Sequence, residues 1–191
     1  MNLAAISATQ TIVVVAVVVV LFAGIAIWLF NRHRRTERLR AQFGGAEYSR
    51  AIKEGGSQRK AEAVLDARAT RVERLNIQPL APGDRARFVE SWGRVQSRFV
   101  DGPGGAVTEA DQLLGDVMAK RGYPVSDFEQ RASDISVDHP LVLENYRAAH
   151  HTAINQTTGK ASTEDLRQAM IHYRTLFEEL VAEPKAQAAR P

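Results

Sequence analysis

The chain contains no cysteine, which excludes a disulfide framework, a thiolate metal site and a thiol nucleophile. No Gly-x-Ser-x-Gly elbow presents a serine. The zinc-protease spacing His-Glu-x-x-His is missing, and so is a Glu-x-x-His pair of the di-iron kind. The glycine-rich run Asp101–Gly105 has no Gly-Lys-Ser/Thr after it and no apolar strand before it. It therefore reads as a turn between helices rather than a phosphate cradle. No Asp, Glu, Lys or Arg precedes Arg32, so a secretory leader with a basic start is not expected. Period-two alternation is wanting from Ser57 onward, and with it any convincing strand.

What the N-terminal region does have is a long apolar run. Thr11–Phe30, TIVVVAVVVVLFAGIAIWLF, is 20 residues long and uncharged. At about 1.5 Å per residue such a helix covers roughly 30 Å, the thickness of a bilayer's hydrocarbon core. Its valines favour strands in water, but a single segment in lipid must satisfy its backbone internally, which demands a helix. The expectation is an uncleaved single-pass signal-anchor at the plasma (inner) membrane.

Charge is distributed unevenly. Arg32–Lys60 holds nine Lys/Arg against three Asp/Glu, whereas residues 61–191 hold sixteen against nineteen. The excess of cations thus sits beside the apolar run, and the distal part is mildly acidic. A nucleic-acid partner is not expected, because such a protein carries its positive charge on the folded domain. Five Arg follow the run within ten residues and none precede it, so the positive-inside rule places residues 1–10 outside and the C-terminal domain in the cytoplasm. Trp28, Arg32, Arg34, Arg35 and Arg38 form the expected membrane-interface set, in contact with the lipid bilayer. Gly44-Gly45 and Gly55-Gly56 break the pattern twice, so residues 31–56 read as a basic juxtamembrane linker with hinges.

From Ser57 the periodicity is helical. Ala61, Leu65, Ala69 and Val72 make one stripe; Phe88, Trp92, Val95 and Phe99 make the next, on a helix over about Asp84–Val100. Val107, Ala110, Leu114 and Val117 mark a third over Ala106–Arg121, stopped by Gly122-Tyr123-Pro124. Ser126 with Glu129 reads as a capping box for a short helix to about Ser133. Asp138-His139-Pro140 opens another, with Asp138 at its start and Val142, Tyr146, Ala149 and Ala153 facing inward, ending before Asn155. Ser162–Asp165 caps the last, whose stripe is Leu166, Met170, Tyr173, Phe177 and Leu180. The fold class is therefore all-α: one N-terminal transmembrane helix, then a bundle of about four to six short helices over 57–183, then a disordered tail, 184–191.

Several runs carry a likeness. They are Glu47-Tyr48, Trp92 with Val95-Gln96, Arg98–Asp101, Arg121–Pro124, Asp127–Ala132, Asp138–Pro140, Asn145–His150, Ser162–Met170 and His172–Arg174. Together these runs, over nearly all of residues 44–181, resemble a family of small bacterial single-span membrane proteins with a helical C-terminal domain and no assigned function. The resemblance implies that architecture and brings no mechanism with it.

It also draws attention to Glu129, Arg131, Asp138, His139, Asn145, Arg147, His150 and Arg174, polar residues at helix starts or beside apolar stripes. They read either as ion pairs and caps within the bundle or as a docking surface. The candidate partner surface is Glu144, Arg147, His150 and Arg174; exposure of Arg147 and His150 would favour docking, and burial against carboxylates would favour structure. No catalytic, metal or cofactor residue is assigned. A metal held by Glu144, His150 and His172 would need an arrangement that spacing does not supply. The expected function is a membrane-anchored, non-catalytic interaction module (adaptor or scaffold) with a protein partner at the inner face of the membrane. The alternative is a membrane-tethered sensor of a small ligand or of envelope stress, and a third reading is an enzyme using His139 or His150 with an Asp.

Overall fold

The computed structural model describes residues 8–124 and 127–182, with side chains from Val13 onward. Among these residues all regular structure is helical: α1 (Ala8–Gly55), α2 (Gln58–Glu73), α3 (Pro82–Arg98), α4 (Pro103–Arg121), α5 (Phe128–Asp138), α6 (Pro140–Thr157) and α7 (Thr163–Val181). The expected outer segment 1–10 lies mostly outside the described residues, as do the tail 184–191 and the Ser126 cap.

α1 holds the one stretch among the described residues long and apolar enough to cross a membrane, and none of it is buried against the rest of the protein. The helix is broken at Gly44, where φ is 71° and ψ is 164°, a backbone region that only glycine occupies cheaply. Here the chain folds back on itself. Thr36 and Tyr48 both donate to the same Glu62 oxygen, at 2.7 and 2.9 Å, although on a straight helix they would stand about 18 Å apart. A bond from Gln58 Nε2 to Thr36 Oγ1 at 3.2 Å brings the start of α2 alongside the first limb as well. The linker expectation for 31–56 is thereby corrected. Gly44 does end a helix, but Leu39 and Phe43 before it and Tyr48 and Ala51 after it are buried, packing with Ala61, Leu65 and Val72 of α2 and Val137 of α5. The cause is a set of apolar and polar side chains on both limbs that α2 satisfies together.

The larger core lies between α3, α4, α6 and α7. Each fully buried Leu, Val or Tyr there removes enough apolar surface from water to contribute about 1.5–3 kcal/mol. Trp92 of α3 stacks on Phe177 of α7 with ring centroids 4.8 Å apart. Ile77, between α2 and α3, packs against both cores and joins them.

The helix ends follow local chemistry. Ser57 accepts from Lys60 N at the start of α2, and Ser162 with Asp165 forms a reciprocal capping box on α7. Pro82 and Pro103 stand in the first turns of α3 and α4, where a missing N–H costs nothing. These helices therefore start earlier than the glycine and proline signals suggest. α5 is capped by Asp127, which accepts from Gln130 N, and runs on to Asp138. Asp138 thus closes α5 instead of opening α6, and its carboxylate accepts from Tyr123 Oη at 2.9 Å. His139 is the hinge residue shared by both helices. α6 passes the expected stop and ends at Thr157. Gly122, at φ 103°, closes α4, and a Cβ there would meet the Asn76 carbonyl oxygen at 2.4 Å.

Candidate functional site

A groove of about 650 Å³ opens between the second limb of α1, the start of α5 and the face of α6. Phe128 and Ile154 supply its apolar surface; Arg50, Arg147, His150 and His151 line it with cations and imidazoles, and Asp127 and Glu129 stand at the α5 end. Ile154 is 51% exposed. Position i to i+4 along α6 puts His150 and Ile154 on one face.

The groove wall is held from behind by ionic contacts. Glu47 of α1 is 2% exposed and is met by Arg68 Nη1 of α2 at 2.5 Å and Arg147 Nη1 of α6 at 2.9 Å. The two arginine side chains are 17% and 11% exposed, so this carboxylate joins three helices in a nearly dry setting. Arg147 Nε is buried and has no hydrogen-bond partner among the described residues.

His150 is fixed on two sides. Its ring stacks on Phe128 with centroids 3.6 Å apart and planes 6° from parallel. Its Nδ1 lies 3.4 Å from Asp111 Oδ1, which also accepts from Tyr173 Oη at 2.8 Å. Burial would raise the Asp111 carboxyl, but the hydrogen bonds from His150 and Tyr173 outweigh it and hold the group below its ordinary value. Burial pushes the Tyr173 phenol far up, and the Asp111 charge pushes the same way. Tyr173 therefore stays a donor.

Of the four residues expected to form a partner surface, Arg147 and His150 both line the groove, and Glu144 and Arg174 are not part of its lining. Glu144 is exposed on α6, and Arg174 is 59% exposed on α7, where it pairs with Glu178 at 2.7 Å. Arg147 and His150 instead turn inward to Glu47 and Asp111, which is the structural outcome for that pair. The groove beside them was not expected; Phe128 followed by Glu129 at a helix start and Ile154 opposite the inward stripe of α6 are its faint signals in the sequence.

The membrane-interface set divides too. The Arg32 guanidinium stands over the Trp28 ring at 5.6 Å, and that of Arg34 over the Phe30 ring at 4.4 Å. Arg35 and Arg38 both pair with Asp66 of α2, and so tie the first limb to the bundle. His139 serves the α5–α6 joint, with Nδ1 3.3 Å from Glu179. Burial pushes its imidazole below the ordinary value, against the pull of Glu179.

Chemically, the groove offers an apolar bed bordered by two imidazoles, by Arg50 and Arg147, each paired with a glutamate, and by the carboxylates of Asp127 and Glu129. Its lining contains no Ser, Thr or Cys to act as a nucleophile. No protein-family model, curated protein or solved structure matches the chain.

Proposed function

We propose that the chain is a membrane-anchored, non-catalytic interaction module. In this reading Thr11–Phe30 crosses the plasma (inner) membrane with the N-terminus outside. The bundle is held at the cytoplasmic face, where its groove receives a segment of a protein confined to the same membrane. The observation that carries it is the groove itself: Ile154 stays open to solvent beside the half-buried Phe128 and Arg50, while the polar groups behind them are tied into Glu47 and Asp111. Tethering supports the reading, since confinement raises the effective concentration for neighbours and lets a modest groove suffice.

The test is co-purification of the full chain from mildly solubilised membranes after crosslinking, compared with Ile154→Glu. One stoichiometric partner, lost in the variant while the melting temperature is unchanged, is the expected result. An identical set of proteins with and without the substitution would sink the groove's role. A reporter fused after Pro191 that is active only outside the cytoplasm would sink the orientation.

The ligand-sensor alternative draws on one fact, the groove volume of about 650 Å³, which falls in the usual range for small-molecule sites. Thermal stabilisation of the full chain by an anionic metabolite, abolished by Ile154→Glu, would favour it.

A further inference from the structure

The fold-back at Gly44 has an electrostatic result that the linear charge count conceals. Thr36 lies only a turn and a half beyond Phe30, about 9 Å along the helix axis. Gln58 bonds to that same Thr36 at 3.2 Å. The turn between the second limb and α2 therefore returns to the height at which the chain leaves the apolar run.

The segment from Arg32 to Lys60 carries nine Lys/Arg. Four are already matched: Arg35 and Arg38 on Asp66, Arg40 on Glu37, and Arg50 on Glu54. Arg32 and Arg34 lie over the last aromatic rings of the run. Lys53, Arg59 and Lys60 are exposed, and no carboxylate pairs with any of them among the described residues. α2 also begins here with no acidic residue in its first turn, so the positive end of its dipole points the same way.

We propose that the Gly55–Lys60 turn is a second membrane contact, in which Lys53, Arg59 and Lys60 bind anionic lipid headgroups beside the span. The inference rests on the reading of Thr11–Phe30 as a membrane span. Charge complementarity selects the partner: an exposed cluster of cations, held by the fold at headgroup height, meets a surface bearing phosphates. Together with Arg32 and Arg34, the turn sets the bundle's orientation as well as its distance from the bilayer.

The absence of cysteine makes the test direct. Ala63 is exposed one turn beyond Arg59 and Lys60, so Ala63→Cys carries a single fluorophore. Ala119→Cys, exposed at the far end of α4, serves as control. The full chain is reconstituted into phosphatidylcholine vesicles with and without phosphatidylglycerol, each containing a headgroup-attached quencher. The expected result is stronger quenching at position 63 with phosphatidylglycerol, reversed by salt, and no such change at position 119. At about 1 kcal/mol per basic residue near an anionic surface, the Lys53→Gln/Arg59→Gln/Lys60→Gln variant shifts the docked-to-undocked ratio about a hundredfold. Quenching that ignores phosphatidylglycerol, or persists unchanged in the triple variant, overturns the proposal. Alkaline extraction of the same vesicles separates the two ideas. A chain retained in the membrane without lipid-dependent quenching removes this contact alone, whereas a chain released at high pH removes the span.

Discussion

Replacing Glu47 by Ala tests a buried ionic contact that joins three helices. The carboxylate is 2% exposed and pairs with both Arg68 and Arg147, themselves 17% and 11% exposed. At an effective dielectric of about 20, unit charges about 4 Å apart attract by about 4 kcal/mol. Most of that offsets desolvation while the set is complete, so the contact adds little net stability as built. Removing the carboxylate is another matter, because both guanidinium groups lose their partner where water reaches them poorly. The expected cost is about 3–5 kcal/mol, and at about 2–4 °C per kcal/mol for a domain of this size the melting temperature falls by roughly 6–20 °C. The assay is thermal unfolding of the full chain in nanodiscs, followed by Trp92, which is buried against Phe177. A Trp28→Phe background removes the other indole. Glu47→Gln, which keeps an acceptor but no charge, falls between. Arg147→Met costs less than Glu47→Ala, since Arg68 still holds the carboxylate. A shift under about 2 °C for Glu47→Ala would place the set with solvent-screened surface pairs and refute the reasoning.

Two further outcomes follow from backbone and titration. Gly44→Ala forces a side chain into φ 71°, ψ 164° and lowers stability by about 1–3 kcal/mol. Gly45→Ala, where an added Cβ meets nothing within 4 Å, raises it by about 0.5–1 kcal/mol in helical backbone, and paired denaturant midpoints distinguish the two. His139 is held below its ordinary value by burial, so between the folded and unfolded values the unfolded state binds more protons. Stability therefore falls as pH drops below about 6.5. Glu179, Arg121 and Asp138 face the same ring and shape its titration. His139→Gln removes this part of the slope, read as the difference in denaturation midpoint between wild type and variant at each pH. Equal slopes would refute the role of His139.

The stripes of α2, α3, α4, α6 and α7 were readable because each apolar set repeats at the helical period and each start carries a cap or a proline. α7 is the clearest case: Ser162 and Asp165 form the expected box, and Leu166, Met170, Tyr173, Phe177 and Leu180 are all buried. The bounds of α3 and α4 were misjudged because Pro82 and Pro103 can either end a turn or begin a helix. Residues 31–56 differ from the linker expectation for a deeper reason. Gly44-Gly45 does mark a break, but local sequence carries no sign of whether the two limbs stay loose or pack. That depends on Glu62 and Glu47 finding Thr36, Tyr48 and Arg147, contacts that span up to 100 positions. Arg147 could be read as an ion pair within the bundle or as part of a docking surface for the same reason, since its carboxylate arrives from a different part of the chain. The groove was unreadable because it is a gap between three elements and belongs to none of them.

The first limb of α1 runs as one helix from Ala8 to the break at Gly44, without a flexible joint where it leaves the apolar run. It behaves as a shaft set into a bearing. Leu39 and Phe43 are the teeth, seated against Leu65 and Val72, while Arg35 and Arg38 grip Asp66. Rotation of the apolar segment about its own axis is rotation of those teeth. One residue inserted between Arg32 and Thr36 would turn them by about 100° and lift them out of the small core. The angular position of the apolar segment is thereby geared to the packing of α2, and through Glu47 to the wall of the groove.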